Sequence, residues 1–128
     1  MVVRFKRIAN LTQHLTSKEQ FESGVFNLHP DYRRELRAAL TFEELPDQDE
    51  IVSRALKVAG MVPDHCDAVM IGGAGWFMPY VHRAIVAYKG EDFPVLSSFS
   101  LRRVVEEVSG DGFRKVSKFV HLGWIRWS

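Results

Sequence analysis

The spacing of apolar positions changes repeatedly along the chain, and each change predicts an element. Val2 to Leu11 mixes β-branched residues with alternating charge and reads as a first strand ending near Asn10. Thr16-Ser17-Lys18-Glu19-Gln20 has the form of a helix start, with Thr16 or Ser17 able to cap and Glu19 or Gln20 able to answer from the first turn. Gly24 and Val25 close that short helix. His29-Pro30-Asp31 opens a second helix over Tyr32 to Leu40, where Leu36 and Leu40 stand four apart. After Pro46 to Glu50, acidic and suited to a helix N-terminus, Ile51, Ala55, Val58 and Ala59 repeat at helical spacing until Gly60. Cys66 to Ile71 is short and almost wholly apolar toward its end, the pattern of a strand covered on both faces. Beyond the loop Gly72-Gly73-Ala74-Gly75, a helix carries Pro79 in its first turn and runs to about Lys89, before Gly90. Phe93 to Phe99 predicts a third strand, and Arg102 to Val108 with Phe113 to Trp124 flank the hairpin signal Gly110-Asp111-Gly112.

Strands alternating with helices imply right-handed crossovers between parallel neighbours. The expected fold class is α/β: residues 1–128 form one small Rossmann-like three-layer domain, a parallel sheet finished by a C-terminal antiparallel hairpin.

Composition narrows the function classes. Of 128 residues, 46% are hydrophobic and 26% charged, as in ordinary globular domains. Seventeen basic against sixteen acidic side chains give a net charge of +1, which argues against a dedicated binder of duplex nucleic acid but leaves a small anionic ligand open. Cys66 is the lone cysteine, so neither an intrachain disulfide nor a Cys-based zinc site can form. No apolar run nears the roughly eighteen residues of a membrane span, and Met1 to Arg7 lacks the apolar stretch of a signal peptide. A cytoplasmic protein without membrane contact is expected.

In an open α/β sheet, ligands bind beyond the carboxyl ends of the parallel strands. Three loops meet that description. Asn10, Thr12, Gln13 and His14 can donate to phosphate, hydroxyl or a base edge, and His14 can move a proton near neutral pH; alternatively Asn10 and Thr12 cap the following helix and His14 is solvated. Gly72, Gly73 and Gly75 let backbone approach a ligand, with Ala74, Trp76 and Met78 around them, or they form a tight turn that binds nothing. Ser97 to Ser100 leads into Arg102 and Arg103, of which strand alternation lets at most one face the crevice. Trp76 could stack on a nucleobase. As a dinucleotide fingerprint Gly73 to Met78 fails twice: its sixth position is Met78, and the loop follows the second strand rather than the first, so no nicotinamide or flavin cofactor is expected. His29, His65, His82 and His121 have no mutual spacing typical of a metal site, and none is expected.

At these residues the chain resembles the CARF-type domains of type III CRISPR systems, in particular the small single-domain members proposed to act as ring nucleases. Asn10 to Gln20 (Asn-Leu-Thr-Gln-His-Leu-Thr-Ser-Lys-Glu-Gln) is similar to an Asn-Phe-Ser-His-Pro-Leu-Thr-x-x-Gln opening in one such group. Gly72 to Met78 is similar to the Gly-Gly-Thr-x-x-Met loop of larger CARF proteins, and Phe93-Pro94-Val95-Leu96 falls where the small group carries a Phe-Pro strand. Ala74 stands where the family has Thr, and Gln13 is an extra residue before His14. The opening and the Gly-Gly loop also resemble those of uncharacterised phage proteins, which would suit a role in countering host defence.

The resemblance implies a homodimer or higher homo-oligomer holding a cyclic oligoadenylate across its symmetry axis, with the glycine loops on phosphates. As an enzyme, the chain would be a metal-independent ring nuclease that aligns a ribose 2′-hydroxyl with its neighbouring phosphorus. His14 would be general base or acid, Lys18 or Arg102 would neutralise the phosphorane, and Asn10, Thr12, Gln13, Gly72 to Trp76, Met78, Ser98, Ser100 and Arg102 would bind the ligand. Two alternatives stand beside it: a protein that sequesters the nucleotide uncut, and an interaction module whose loops are only turns.

Overall fold

A computed structural model describes residues 4–128. Its element order is β1 (Ile8–Leu11), α1 (Lys18–Glu22), β2 (Val25–Asn27), α2 (Pro30–Leu40), α3 (Gln48–Ala59), β3 (Ala68–Ile71), α4 (Met78–Lys89), β4 (Val95–Ser109) and β5 (Gly112–Arg126). The five strands form one sheet in the order β2-β1-β3-β4-β5, parallel from β2 to β4, with β5 antiparallel at the edge. The chain is thus α/β, with a mostly parallel sheet and a C-terminal antiparallel pair.

Local chemistry accounts for the helix boundaries. Ser17 and Gln20 close a reciprocal capping box on α1: Ser17 Oγ accepts from the Gln20 amide at 3.1 Å and Gln20 Oε1 from the Ser17 amide at 3.0 Å. His29 caps α2 and Asp47 caps α3, whose carboxylate accepts from the Glu50 amide at 2.8 Å. Alternation along the strands then sorts the core. Ala9, Leu11, Val69, Ile71 and Val95 face α2, α3 and α4, joining Leu36, Val58, Val81 and Ile85. Ile8, Ala68, Met70 and Leu96 face the other way, into a smaller cluster with Val25, Phe5 and Trp124. Burial on both faces explains why β3 reads as an unbroken apolar run.

Three expectations change. Residues 2–3 of the first predicted strand lie outside the described residues, and Arg4 to Arg7 are not strand. There the Asp67 carboxylate takes the Lys6 and Arg7 amides, at 2.9 and 3.0 Å, in place of a strand ladder. Val25 does not merely end α1; it begins β2, three residues paired in parallel with β1. The third strand and the first hairpin strand are one continuous β4, so Ser97 to Ser100 is not a loop and Arg102 lies within the strand. A register shift between Phe99 and Ser100 absorbs the expected break as a bulge. Beyond Leu96, β4 has left β3 behind and pairs only with β5, so the two strands continue as a long two-stranded arm.

Candidate functional site

From β1 the chain turns outward to β2, and from β3 it turns the other way to β4. The crevice opened by that divergence lies beyond Leu11 and Ile71, the position where ligands bind in such sheets. A cleft of about 930 Å³ occupies it, lined by Thr12, Gln13, His14, Leu15, Ser17, Gln20, Met70, Ile71, Gly72, Gly73, Ala74, Met78, Ser97, Ser98, Ser100, Phe119 and His121.

The first wall is organised by Asn10, 3% exposed. Its Nδ2 donates to the His14 carbonyl at 2.8 Å, to Asn27 Oδ1 at 3.0 Å and to Thr16 Oγ1 at 3.2 Å, while its Oδ1 accepts from the Thr12 amide and hydroxyl at 2.9 and 2.7 Å. With its side-chain polar atoms engaged inside the protein, Asn10 shapes the loop from outside the crevice lining. Thr12, Gln13 and His14 are left on the crevice, His14 exposed.

The second wall is the glycine loop. A Cβ on Gly72 would stand 3.2 Å from Thr12 Cγ2, a tight contact that glycine avoids where the two loops meet; Gly73 has φ +155 and would meet Met78 Cε at 3.2 Å. Among the described residues, none of the amides of Gly73, Ala74, Gly75 and Trp76 donates a hydrogen bond within the protein, while Phe77 and Met78 already donate to the Ala74 carbonyl. Those unengaged amides precede α4, whose N-terminus has no side-chain cap.

The third wall joins α1 to the root of the arm. Ser98 Oγ lies 2.5 Å from His121 Nδ1 and 2.8 Å from Ser100 Oγ, and Gln20 Nε2 donates to it at 3.3 Å. His121 is 7% exposed, its ring centroid 4.4 Å from that of Trp124, and its buried Nε2 has no hydrogen-bond partner. Burial pushes its pKa below the ordinary value, against a smaller upward pull from Glu19.

Of the residues singled out from sequence, Thr12, Gln13, His14, Gly72, Gly73, Ala74, Met78, Ser98 and Ser100 meet at one cleft. Five others stand apart. Asn10 lies beneath the loop, and Gly75 is outside the lining. Trp76, half-exposed and outside the lining, packs on Phe42 at 4.9 Å and Phe77 at 5.6 Å. Lys18 is exposed on α1 away from the lining, and Arg102 lays its guanidinium over the Phe119 ring, 4.8 Å from the centroid. Ser17, Gln20, Phe119 and His121 were missed. The only signal for His121 was strand alternation with Phe119, and that points nowhere without the arm's register. Among the described residues, no group of three His, Cys, Asp or Glu side chains could hold a metal, and no helix is long and apolar enough to cross a membrane.

No family model, curated protein or solved structure matches the chain.

Proposed function

We propose that the crevice binds a cyclic oligonucleotide second messenger, a cyclic oligoadenylate by the resemblance to CARF-type domains, and degrades it, which would switch off defence signalling. The observation that carries this reading is the unengaged amides of Gly73 and Ala74, which line the crevice at a topological switch point and offer donors to phosphate without a cation. Thr12, Gln13, His14 and Ser100 supply further donors around it. The strand order, with α2 to α4 against one face and the short α1 meeting Ser98 through Gln20, supports a Rossmann-like three-layer reading. A symmetric homodimer would match a ligand whose phosphates repeat around a ring.

Sequestration without cutting is the second reading. It is favoured by one observation: Lys18 and Arg102, the cations expected to neutralise a phosphorane, stand outside the crevice lining. Incubating the protein with cyclic di-, tri-, tetra- and hexa-adenylate, then resolving free, bound and cleaved nucleotide, separates the readings. Linear products support degradation and binding alone supports sequestration. No binding to any ring removes both. In the same assay Gly73→Val should abolish binding in a folded protein, because the branched side chain crowds the Gly73 and Ala74 amides and strains a positive-φ position at about 1–3 kcal/mol.

A further inference from the structure

Ser98 has the surroundings of a nucleophile. It lies on the crevice, half-buried, and its oxygen is held from three sides by His121, Gln20 and Ser100. A serine hydroxyl is a weak nucleophile until a neighbouring base removes its proton, and the base must be neutral at working pH. His121 meets that requirement through its place in the fold: the ring is enclosed between Ser98 and Trp124 and disfavours charge. With Nε2 carrying the ring proton, Nδ1 presents its lone pair to Ser98 at 2.5 Å. Glu19 on α1 is the acidic group whose charge favours the imidazolium that proton transfer would create.

The cleft brings this pair to the glycine loop. The last pairing of β3 with β4 is Met70 beside Leu96, each two residues before Gly72 and Ser98, and Gly72, Gly73 and Ala74 line the same cleft as Ser98 and His121.

We infer that Ser98, with His121 as its base, is a catalytic nucleophile toward phosphorus in a phosphodiester held by the glycine-loop amides. The inference deepens the nucleotide reading and rests on it for the ligand alone. Ser98 Oγ forms a bond to phosphorus as its proton passes to His121 Nδ1, and the bond from phosphorus to the ribose oxygen on the opposite side breaks as that oxygen takes a proton from water. A second water then adds to phosphorus from that side, losing its proton to solvent, while the Oγ–P bond breaks and His121 returns the proton to Ser98 Oγ. Sequence alone offered the ribose 2′-hydroxyl as nucleophile; Ser98 makes that hydroxyl unnecessary. The expected product is a linear nucleotide ending in a phosphomonoester.

The test uses a fluorophosphonate, whose phosphorus reports nucleophilicity without any nucleotide. Incubation of the full chain, intact mass measurement and peptide mapping should find one adduct, on Ser98. Ser98→Ala should lose it, and His121→Gln, judged by circular dichroism to be folded, should slow labelling at least about a hundredfold. An unlabelled protein, an adduct elsewhere, or a folded His121→Gln protein labelled at the wild-type rate overturns the inference. Mapping on the wild-type chain decides the nucleophile even where a variant fails to fold. Labelling of Ser98 with no cyclic adenylate bound would keep the nucleophile and remove the nucleotide reading. If rings are cut, a 2′-deoxy cyclic adenylate should be cut as well; cleavage confined to 2′-hydroxyl rings with 2′,3′-cyclic phosphate ends overturns Ser98.

Discussion

The parallel body of the sheet and the two-stranded arm both carry apolar residues along their strands, yet they end in opposite states. Along β1 and β3 every residue is buried, whereas on the arm Val104, Val108, Phe113 and Phe119 are exposed, Val108 at 81% and Phe113 at 76%. The difference is cover. In the body α2, α3 and α4 close one face and the Phe5–Trp124 cluster the other, while beyond its root, where α1 meets it, the arm carries no third strand or helix among the described residues. Its order comes from the ladder itself, from Glu106 opposite Lys115 and Glu107 opposite Arg114, and from Arg102 over Phe119. An isolated two-stranded ribbon is marginal in water, so the arm takes its stability from continuity with the body. Ser98, Ser100 and His121 sit at the junction, where buried surroundings meet open crevice.

The largest effect should separate the two regions outright. Phe77 is fully buried against Phe42 and Trp76, so Phe77→Ala should cost about 3–5 kcal/mol in urea unfolding. Phe113→Ala removes the same side chain from the arm and should cost under about 0.5 kcal/mol. Equal costs would mean that the arm is covered in solution, and the comparison would break.

A glycine pair sharpens the point by holding strain constant. Gly24 and Gly112 both have positive φ, +100 and +128, but a Cβ on Gly24 would meet the Lys6 and Phe5 carbonyl oxygens at 2.9 and 3.0 Å, whereas Gly112 has open space. Gly24→Ala should therefore cost on the order of 3 kcal/mol, strain plus clash, and Gly112→Ala about 1–2 kcal/mol from strain alone. Thermal midpoints of the two variants check the ordering; a Gly112 variant as damaged as the Gly24 one would show that the arm's tip is packed.

Asn10→Ala asks whether the body's polar interior behaves like its apolar one. Removing the amide leaves the Thr12 N–H without its acceptor and takes one donor each from Asn27 Oδ1 and the His14 carbonyl, at about 1–3 kcal/mol, and should also disorder the Thr12 to His14 wall. Hydrogen exchange should show faster amides at Thr12 and Thr16; unchanged protection there would remove Asn10 as the organiser of the loop.

How much of this was legible in the sequence follows the same division. In the body, local signals and tertiary burial agree: Ser17 and Gln20 announce α1, Asp47 and Gly60 bracket α3, and the all-apolar β3 states that both its faces are covered. β2 was invisible because three residues cannot display a period. On the arm, Ser97-Ser98-Phe99-Ser100 looked like a loop, since a strand open to solvent has polar content like a turn's and a bulge leaves no glycine or proline to mark it. The crevice-lining residues on the loops after β1 and β3 could be named because they follow strand ends. His121 could not, since its meeting with Ser98 depends on a register that the bulge shifts. An aromatic beside glycines can stack on a base or on a neighbouring ring with the same local sequence, and the Trp76 contact with Phe42 is visible only in the fold.

The smallest expected effect is a pH dependence that locates the junction within this contrast. Burial lowers the pKa of His121, at the arm's root, and of His82 on α4, both from 6.5. As pH falls through 6.5 the unfolded chain takes up protons that these folded histidines refuse, so stability declines with falling pH until the folded groups titrate as well. Above 6.5 the term is absent. Glu19 opposes the shift at His121, which keeps that decline shallow. Between pH 7.5 and 5.5, above most carboxylate titration, the wild-type unfolding midpoint should drop, His121→Gln should drop less, and His82→Gln with His121→Gln should drop least. A His121→Gln slope equal to wild type would mean that His121 already exchanges protons with solvent in the folded chain. The arm's root would then belong with the open ribbon and not with the buried sheet.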